Sequence, residues 1–316
     1  MKKIWKQRYQ ILEKLGQGGG GSVYKVHDIN LDKIWALKFA ETRERYQKSG
    51  KEEWEICKRI SHINFPRIVD AFEEDGKYAI VMDWIKGVTL EEIIERGPIE
   101  EKQMIFIAKQ VCEALHYLHL QSPTLLYLDL KPANIMVEEG GSVKLIDMGS
   151  VLVKGKTENI SGTFGYASPE QISNNREEED LSERSDVFSF GMVLYAMLKG
   201  NCKRLPVIDR KSKRGVWVGE INPKISVQVE KIIEKCTRGT PEKRYFSIRE
   251  VKRELEQWEK KRRKKAVRFL RVVKKKDVQW YQEKSIICTE GKHSFYIAKS
   301  LSEKGRTGRK IRVNRE

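Results

Sequence analysis

Long apolar runs and paired cysteines are missing from this chain, and no leader is expected at its start. Its 316 residues include 5 cysteines, Cys57, Cys112, Cys202, Cys236 and Cys288, scattered with no CxxC pair and no local histidine partner. That spacing argues against a disulfide framework or a structural metal site and for a reducing interior. No stretch approaches the ~18 uninterrupted apolar residues of a membrane span. The basic start, Met1-Lys2-Lys3-Ile4-Trp5-Lys6, has no apolar run behind it, so no signal peptide is expected. These absences point to a soluble, cytoplasmic protein, long enough for two lobes or domains plus a tail.

Charge is present in excess and unevenly placed. Residues 259–316 hold 20 Lys and Arg against 6 Asp and Glu, so the preceding 258 residues carry only +3 of the net +17. The shift marks an expected boundary near Trp258.

The densest chemistry lies in Asp129-Leu130-Lys131-Pro132-Ala133-Asn134, with Asp147-Met148-Gly149 following thirteen residues after the asparagine. Phosphoryl transfer needs this set: a carboxylate for a hydroxyl proton, a cation on the transferring phosphate, and oxygen ligands for Mg²⁺. Between them, Asn134 to Val137, then Glu138-Glu139-Gly140-Gly141, then Val143 to Ile146 read as strand, turn, strand. Such a hairpin holds Asn134 and Asp147 close enough to share a metal.

This segment resembles the catalytic and metal-binding loops of the eukaryotic-type protein kinases, particularly their bacterial serine/threonine members. The likeness covers about residues 8 to 258, with the motifs in the family's order. It implies an α+β, bilobal fold: a small antiparallel-β lobe with one main helix (about 8–83) and a larger, mainly helical lobe (about 86–258). The basic tail, 259–316, follows. ATP would lie between the lobes, with Mg²⁺, or Mn²⁺ as a substitute.

Two expected strands, Tyr9 to Leu15 and Val23 to His27, flank Gly16-Gln17-Gly18-Gly19-Gly20-Gly21-Ser22-Val23. Glycines there let backbone N–H groups approach phosphates where a Cβ would clash. The loop joins two strands instead of opening a helix, which separates it from a dinucleotide-binding turn. Lys38, inside the apolar strand Ile34 to Ala40, is expected to contact the α- and β-phosphates. Its partner should come from a helix over Lys51 to Ile60, where Glu52, Glu53 and Glu55 are candidates and the resemblance selects Glu53. The same resemblance makes Met82 the gatekeeper, gives the Asp83 carbonyl and the Ile85 N–H to the adenine edge, and sets Val23 and Ala36 above the ring and Met136 below.

In the catalytic loop, the resemblance assigns Asp129 to the substrate hydroxyl, Lys131 to the γ-phosphate, and Asn134 and Asp147 to the metal. Thr163, in Gly162-Thr163-Phe164-Gly165, would bridge Asp129 and Lys131 in the serine/threonine manner. Arg244 matches the arginine that pairs with Glu170, and Asp186 the residue that braces the loop backbone. Three positions depart from the family. HRD reads Tyr127-Leu128-Asp129, DFG carries Met148, and APE reads Ser168-Pro169-Glu170. Leu128 removes an arginine that normally pairs with an activation-loop phosphate, so activity is expected without that phosphorylation. Thr157, Ser161 and Thr163 are the phosphosites among which the sequence does not choose.

The function expected is an ATP-dependent serine/threonine protein kinase acting on protein hydroxyls, with autophosphorylation. The alternatives are a catalytically silent ATP-binding scaffold and an adaptor acting through its tail. For that tail three readings stand: a solvated helix and linker, adsorption to an anionic membrane surface, which would make the protein peripheral there, and non-specific nucleic-acid binding. A short β-hairpin is expected over 285–298. Protein substrates are implied; the oligomeric state is not legible.

Overall fold

Alternating apolar residues lay down the first sheet. The computed structural model describes residues 4–18, 21–39, 54–156, 162–172, 181–209 and 225–276, isolated positions between 211 and 222, and the stretches 286–290, 293–298 and 312–314. Two compact units divide the chain, residues 1–258 and 259–316. In the first, Ile4–Trp5 (β1), Tyr9–Gly18 (β2), Gly21–Asp28 (β3), Lys33–Phe39 (β4), Ile68–Glu74 (β5) and Lys77–Asp83 (β6) form one sheet in the order β1-β2-β3-β4-β6-β5. Every pairing in it is antiparallel. Asp75 and Gly76, both at positive φ, close the β5–β6 hairpin, a turn that matches the right-handed twist of its strands.

Period two sorts the side chains of this sheet. Trp35, Leu37 and Phe39 of β4 join Trp5, Tyr9, Val26, Ala79 and Val81 in a buried cluster on one face. Ala36 and Lys38 therefore point to the other face. Register carries that face across the sheet, because Lys38 lies opposite Val23 and Ile80, and Ala36 opposite Lys25 and Met82.

Helices build the larger lobe. Leu90–Glu95 (α1) starts with a capping box between Thr89 and Glu92. Glu101–His119 (α2) buries Met104, Ile105, Ala108, Val111, Leu115 and Leu118 along one stripe. Pro169–Ile172 (α3) is a single turn. In Glu183–Lys199 (α4) every residue from Ser185 to Leu198 is buried, as a helix apolar all round must be. Gly200 ends it in the left-handed conformation, φ 81°. Val227–Cys236 (α5) and Ile248–Lys276 (α6) follow. Ile248, Val251, Leu255 and Trp258 of α6 are buried in the same core as α2 and α4. Each such side chain contributes about 1.5–3 kcal/mol through removal from water.

Small strands position the site. Gly87–Thr89 (β7), Ile135–Glu138 (β9) and Val143–Leu145 (β10) form a sheet in the order β10-β9-β7, and Leu125–Leu126 (β8) pairs with Leu152–Val153 (β11). In the second unit Ile286–Glu290 (β12), His293–Ala298 (β13) and Arg312–Asn314 (β14) form an antiparallel sheet in that order. Among the described residues no helix is long and apolar enough to cross a membrane.

Two local expectations need correcting. The helix expected to reach Ile60 ends at Cys57 among the described residues, and Arg59 and Ile60 continue as tight turns whose N–H groups bond three residues back. Asn134 does not start a strand; it closes the 3₁₀ turn Pro132–Asn134, because proline favours the start of such a turn. Glu53, Gly19, Gly20, Thr157 and Ser161 lie outside the described residues.

Candidate active site

The catalytic loop is a closed ring of charge-assisted hydrogen bonds. Thr163 Oγ1 donates to Asp129 Oδ1 at 2.7 Å, and Lys131 Nζ donates to Thr163 Oγ1 and to Asp129 Oδ2, both at 2.8 Å. Asn134 Nδ2 donates to the Asp129 carbonyl at 2.9 Å and to its Oδ2 at 3.1 Å. The Asp129 carboxylate is thus oriented by three side chains, each with little rotational freedom left.

The loop is held from behind. Asp186, at the start of α4 and fully buried, accepts from Tyr127 N at 2.9 Å and Leu128 N at 2.8 Å, and His119 Nε2 lies 2.9 Å from its Oδ2. Leu128 is held at φ 62°, a region rarely used by a residue with a Cβ. Its side chain is buried with Leu126 and Leu181, and Leu152 packs against them. An apolar plug therefore occupies the position that an arginine holds in the family pattern. Gln171 Nε2 adds a bond to the Leu128 carbonyl at 2.8 Å. Neither His119 nor Gln171 was found from sequence; the contact by which each reaches the loop or its brace lies 67 or 43 residues away, which leaves no local pattern.

The β9–β10 hairpin brings the second carboxylate in. Leu145 pairs with Ile135, and Ile146 N donates to the Asn134 carbonyl at 3.1 Å, so Asp147 emerges beside Asn134. Asp147 Oδ1 accepts from Lys38 Nζ at 2.9 Å and from Gly149 N at 3.0 Å. Burial opposes its ionisation, but Lys38 and the Gly149 N–H hold its pKa below the ordinary carboxylate value. Met148 is buried in the large core, where a flexible apolar side chain packs readily.

The expected nucleotide residues of the small lobe share one face of its sheet. Val23, Ala36, Lys38 and Met82 occupy a single face of the first sheet by register. Met136 pairs with Thr89 in the neighbouring sheet, just beyond Asp83 and the buried Ile85. Asp83 N donates to the Arg67 carbonyl at 3.0 Å, and the Asp83 carboxylate takes both prongs of the Arg67 guanidinium at 3.0 Å. In the glycine loop Gly16 lies opposite Val23, and Gly18 opposite Gly21, whose φ is 127°. A Cβ added at Gly16 would meet no atom of the described residues within 4 Å.

A second anchor, beyond the loop, is a buried ion pair. Arg244 donates to both oxygens of Glu170 at 2.6 and 2.8 Å, and both side chains are fully buried. The guanidinium also bonds the carbonyls of Arg184, Arg238 and Gly239, and Ser185 Oγ donates to Glu170 at 2.8 Å. Arg244 thereby satisfies the charge of a glutamate that α3 places in the core.

The protein kinase domain model matches residues 9–255, and the chain belongs to that family. It is 30% identical over 269 residues to the serine/threonine-protein kinase PrkC of Bacillus subtilis, covering 78% of this chain and 40% of that protein. It is 32% identical over 269 residues to a probable serine/threonine-protein kinase of Clostridium acetobutylicum, covering 80% and 40%. The chain thus spans about two fifths of the length of these curated relatives. The kinase domain of PknI from Mycobacterium tuberculosis superposes with a TM-score of 0.63 at 21% identity, covering 81% of this chain and 98% of that one. The two-lobed protein kinase fold expected from the motifs is the fold of this chain.

Proposed function

We propose that the protein transfers the γ-phosphoryl group of ATP to serine or threonine hydroxyls of proteins, itself included. The observation that carries this is the Asp129–Lys131–Thr163 ring, with Asn134 and Asp147 beside it. Asp129 accepts and orients the acceptor hydroxyl's proton, and the Thr163 and Lys131 bonds fix which oxygen does so. Lys131 then offers its remaining N–H to charge developing on the phosphoryl oxygens. Lys38 positions the α- and β-phosphates, with Glu53 proposed as its partner, and the backbone of Gly16, Gly18 and Gly21 approaches those phosphates. Met82, the Asp83 carbonyl and the Ile85 N–H line the adenine pocket between Val23 and Ala36 above and Met136 below.

The donor set suits a divalent cation. Asn134 spends its Nδ2 on Asp129, which leaves Oδ1 as the atom to ligate a cation, and Asp147 adds a carboxylate. Among the described residues no group of three or more His, Cys, Asp or Glu forms a metal cluster. Two protein oxygens with the rest of the shell from phosphates and water is the habit of Mg²⁺, with Mn²⁺ as a substitute. Bound there, the ion would neutralise phosphate charge.

A silent scaffold is the weaker reading, since Lys38, Asp129, Asn134 and Asp147 are all in place. The test is to incubate wild type and Asp129→Asn with Mg²⁺ and ATP and map phosphosites by mass spectrometry. Phosphoserine or phosphothreonine in wild type alone is expected. Phosphate in neither, or equally in both, overturns the assignment.

A further inference from the structure

The cations of the tail are concentrated on one helix. From Glu259 to Lys276, the later part of α6, the chain carries 11 Lys and Arg and one acid. The 3.6-residue period places Ala266, Phe269, Leu270 and Val273 on one face and Lys264, Arg268, Arg271 and Lys275 on the opposite one. Lys265, Lys274 and Lys276 fall at the borders between them. Upstream, the same apolar stripe consists of Ile248, Val251, Leu255 and Trp258, all buried in the core of the first unit. Lys260, Lys261 and Arg262 then interrupt it and are exposed. In the sequence the same 3.6-residue apolar period resumes at Ala266, four positions later, with cations on either side of it.

We propose that residues 263–276 form an interfacial helix that lies on an anionic lipid surface. Charge complementarity and the apolar face both fit that partner. Cations draw the helix to acidic headgroups, and the apolar face enters the boundary between headgroups and acyl chains. A helix serving only to neutralise nucleic-acid phosphates has no use for an apolar face, and this one holds a single aromatic, Phe269, for base stacking. The proposal is independent of catalysis.

Co-sedimentation of the full chain with vesicles tests it. Binding is expected to equimolar phosphatidylglycerol and phosphatidylcholine, to fall steeply with salt, and to vanish on pure phosphatidylcholine. Phe269→Ser with Leu270→Ser should weaken binding on the order of a hundredfold, from the loss of two buried apolar side chains. Replacing Lys264, Arg268, Arg271 and Lys275 by Gln should remove the preference for anionic vesicles. Circular dichroism and autophosphorylation in solution report whether each variant is folded. Failure to bind anionic vesicles overturns the proposal. So does unchanged binding by the folded Phe269→Ser/Leu270→Ser variant, or tighter binding to duplex DNA that ignores those substitutions.

Discussion

Thr163 offers the sharpest test of how the catalytic carboxylate is held. Its hydroxyl donates to Asp129 Oδ1 at 2.7 Å and accepts from Lys131 Nζ at 2.8 Å. Valine keeps the shape and branching of threonine and removes only those bonds. A hydrogen bond to a charged group is worth about 1.5–3 kcal/mol. Of the two, the bond donated to Asp129 is the one that orients the carboxylate; if it does so in the transition state, its loss lowers kcat roughly tenfold to a hundredfold, at 1.36 kcal/mol per factor of ten. Nucleotide binding does not pass through Thr163, so the KM for ATP should stay within about twofold. Serine restores the hydroxyl and should recover most of the rate. The assay is steady-state phosphorylation of a generic protein acceptor by wild type, Thr163→Val and Thr163→Ser. A valine variant within twofold of wild type, or a serine variant as slow as valine, would refute the orienting role.

Two further outcomes follow from the buried contacts. Glu170→Gln leaves the Arg244 guanidinium buried beside a neutral amide, which should cost about 3–5 kcal/mol in urea unfolding, whereas the double change to Met at 170 and 244 should cost far less than the two single changes summed. Because the folded pKa of Glu170 lies below its ordinary 4.5, its contribution is complete above that value and is lost as pH falls through the folded pKa; a flat urea midpoint across that acid range contradicts this. Leu128 sits in an apolar cluster with Leu126 and Leu181, so phosphatase treatment should leave the initial rate toward an exogenous acceptor unchanged, and a large loss would show that a phosphate does the ordering.

Much of the site could be read before any coordinates because its residues cluster. Asp129, Lys131 and Asn134 lie within six positions, and a hairpin that closes over glycines delivers Asp147. Lys38 was legible as one cation in an apolar strand, and the register of β4 with β3 and β6 then fixes which neighbours share its face. What escaped was short or non-local. β1 and β7 are two and three residues long, too brief for any period to show, and they exist because a neighbouring strand offers an open edge. β14 gave no signal for the same reason. The Glu170–Arg244 pair came from resemblance; the surrounding carbonyls of Arg184, Arg238 and Gly239 that complete it could not, since backbone groups leave no trace in residue identity.

The Lys38–Asp147 contact joins the two lobes directly, from β4 of the small one to the end of the β9–β10 hairpin of the large one. Between β6 and β7 the chain passes from one lobe to the other through Trp84-Ile85-Lys86. If Lys38 takes a nucleotide phosphate as proposed, that phosphate meets an ammonium already paired with a carboxylate, and binding would include an exchange of anions. Two consequences are mechanical. The force between the lobes depends on which anion holds the lysine, and a cation arriving at Asp147 weakens the old pairing as it strengthens the new one. Nucleotide and metal would then bind cooperatively through a single shared charge.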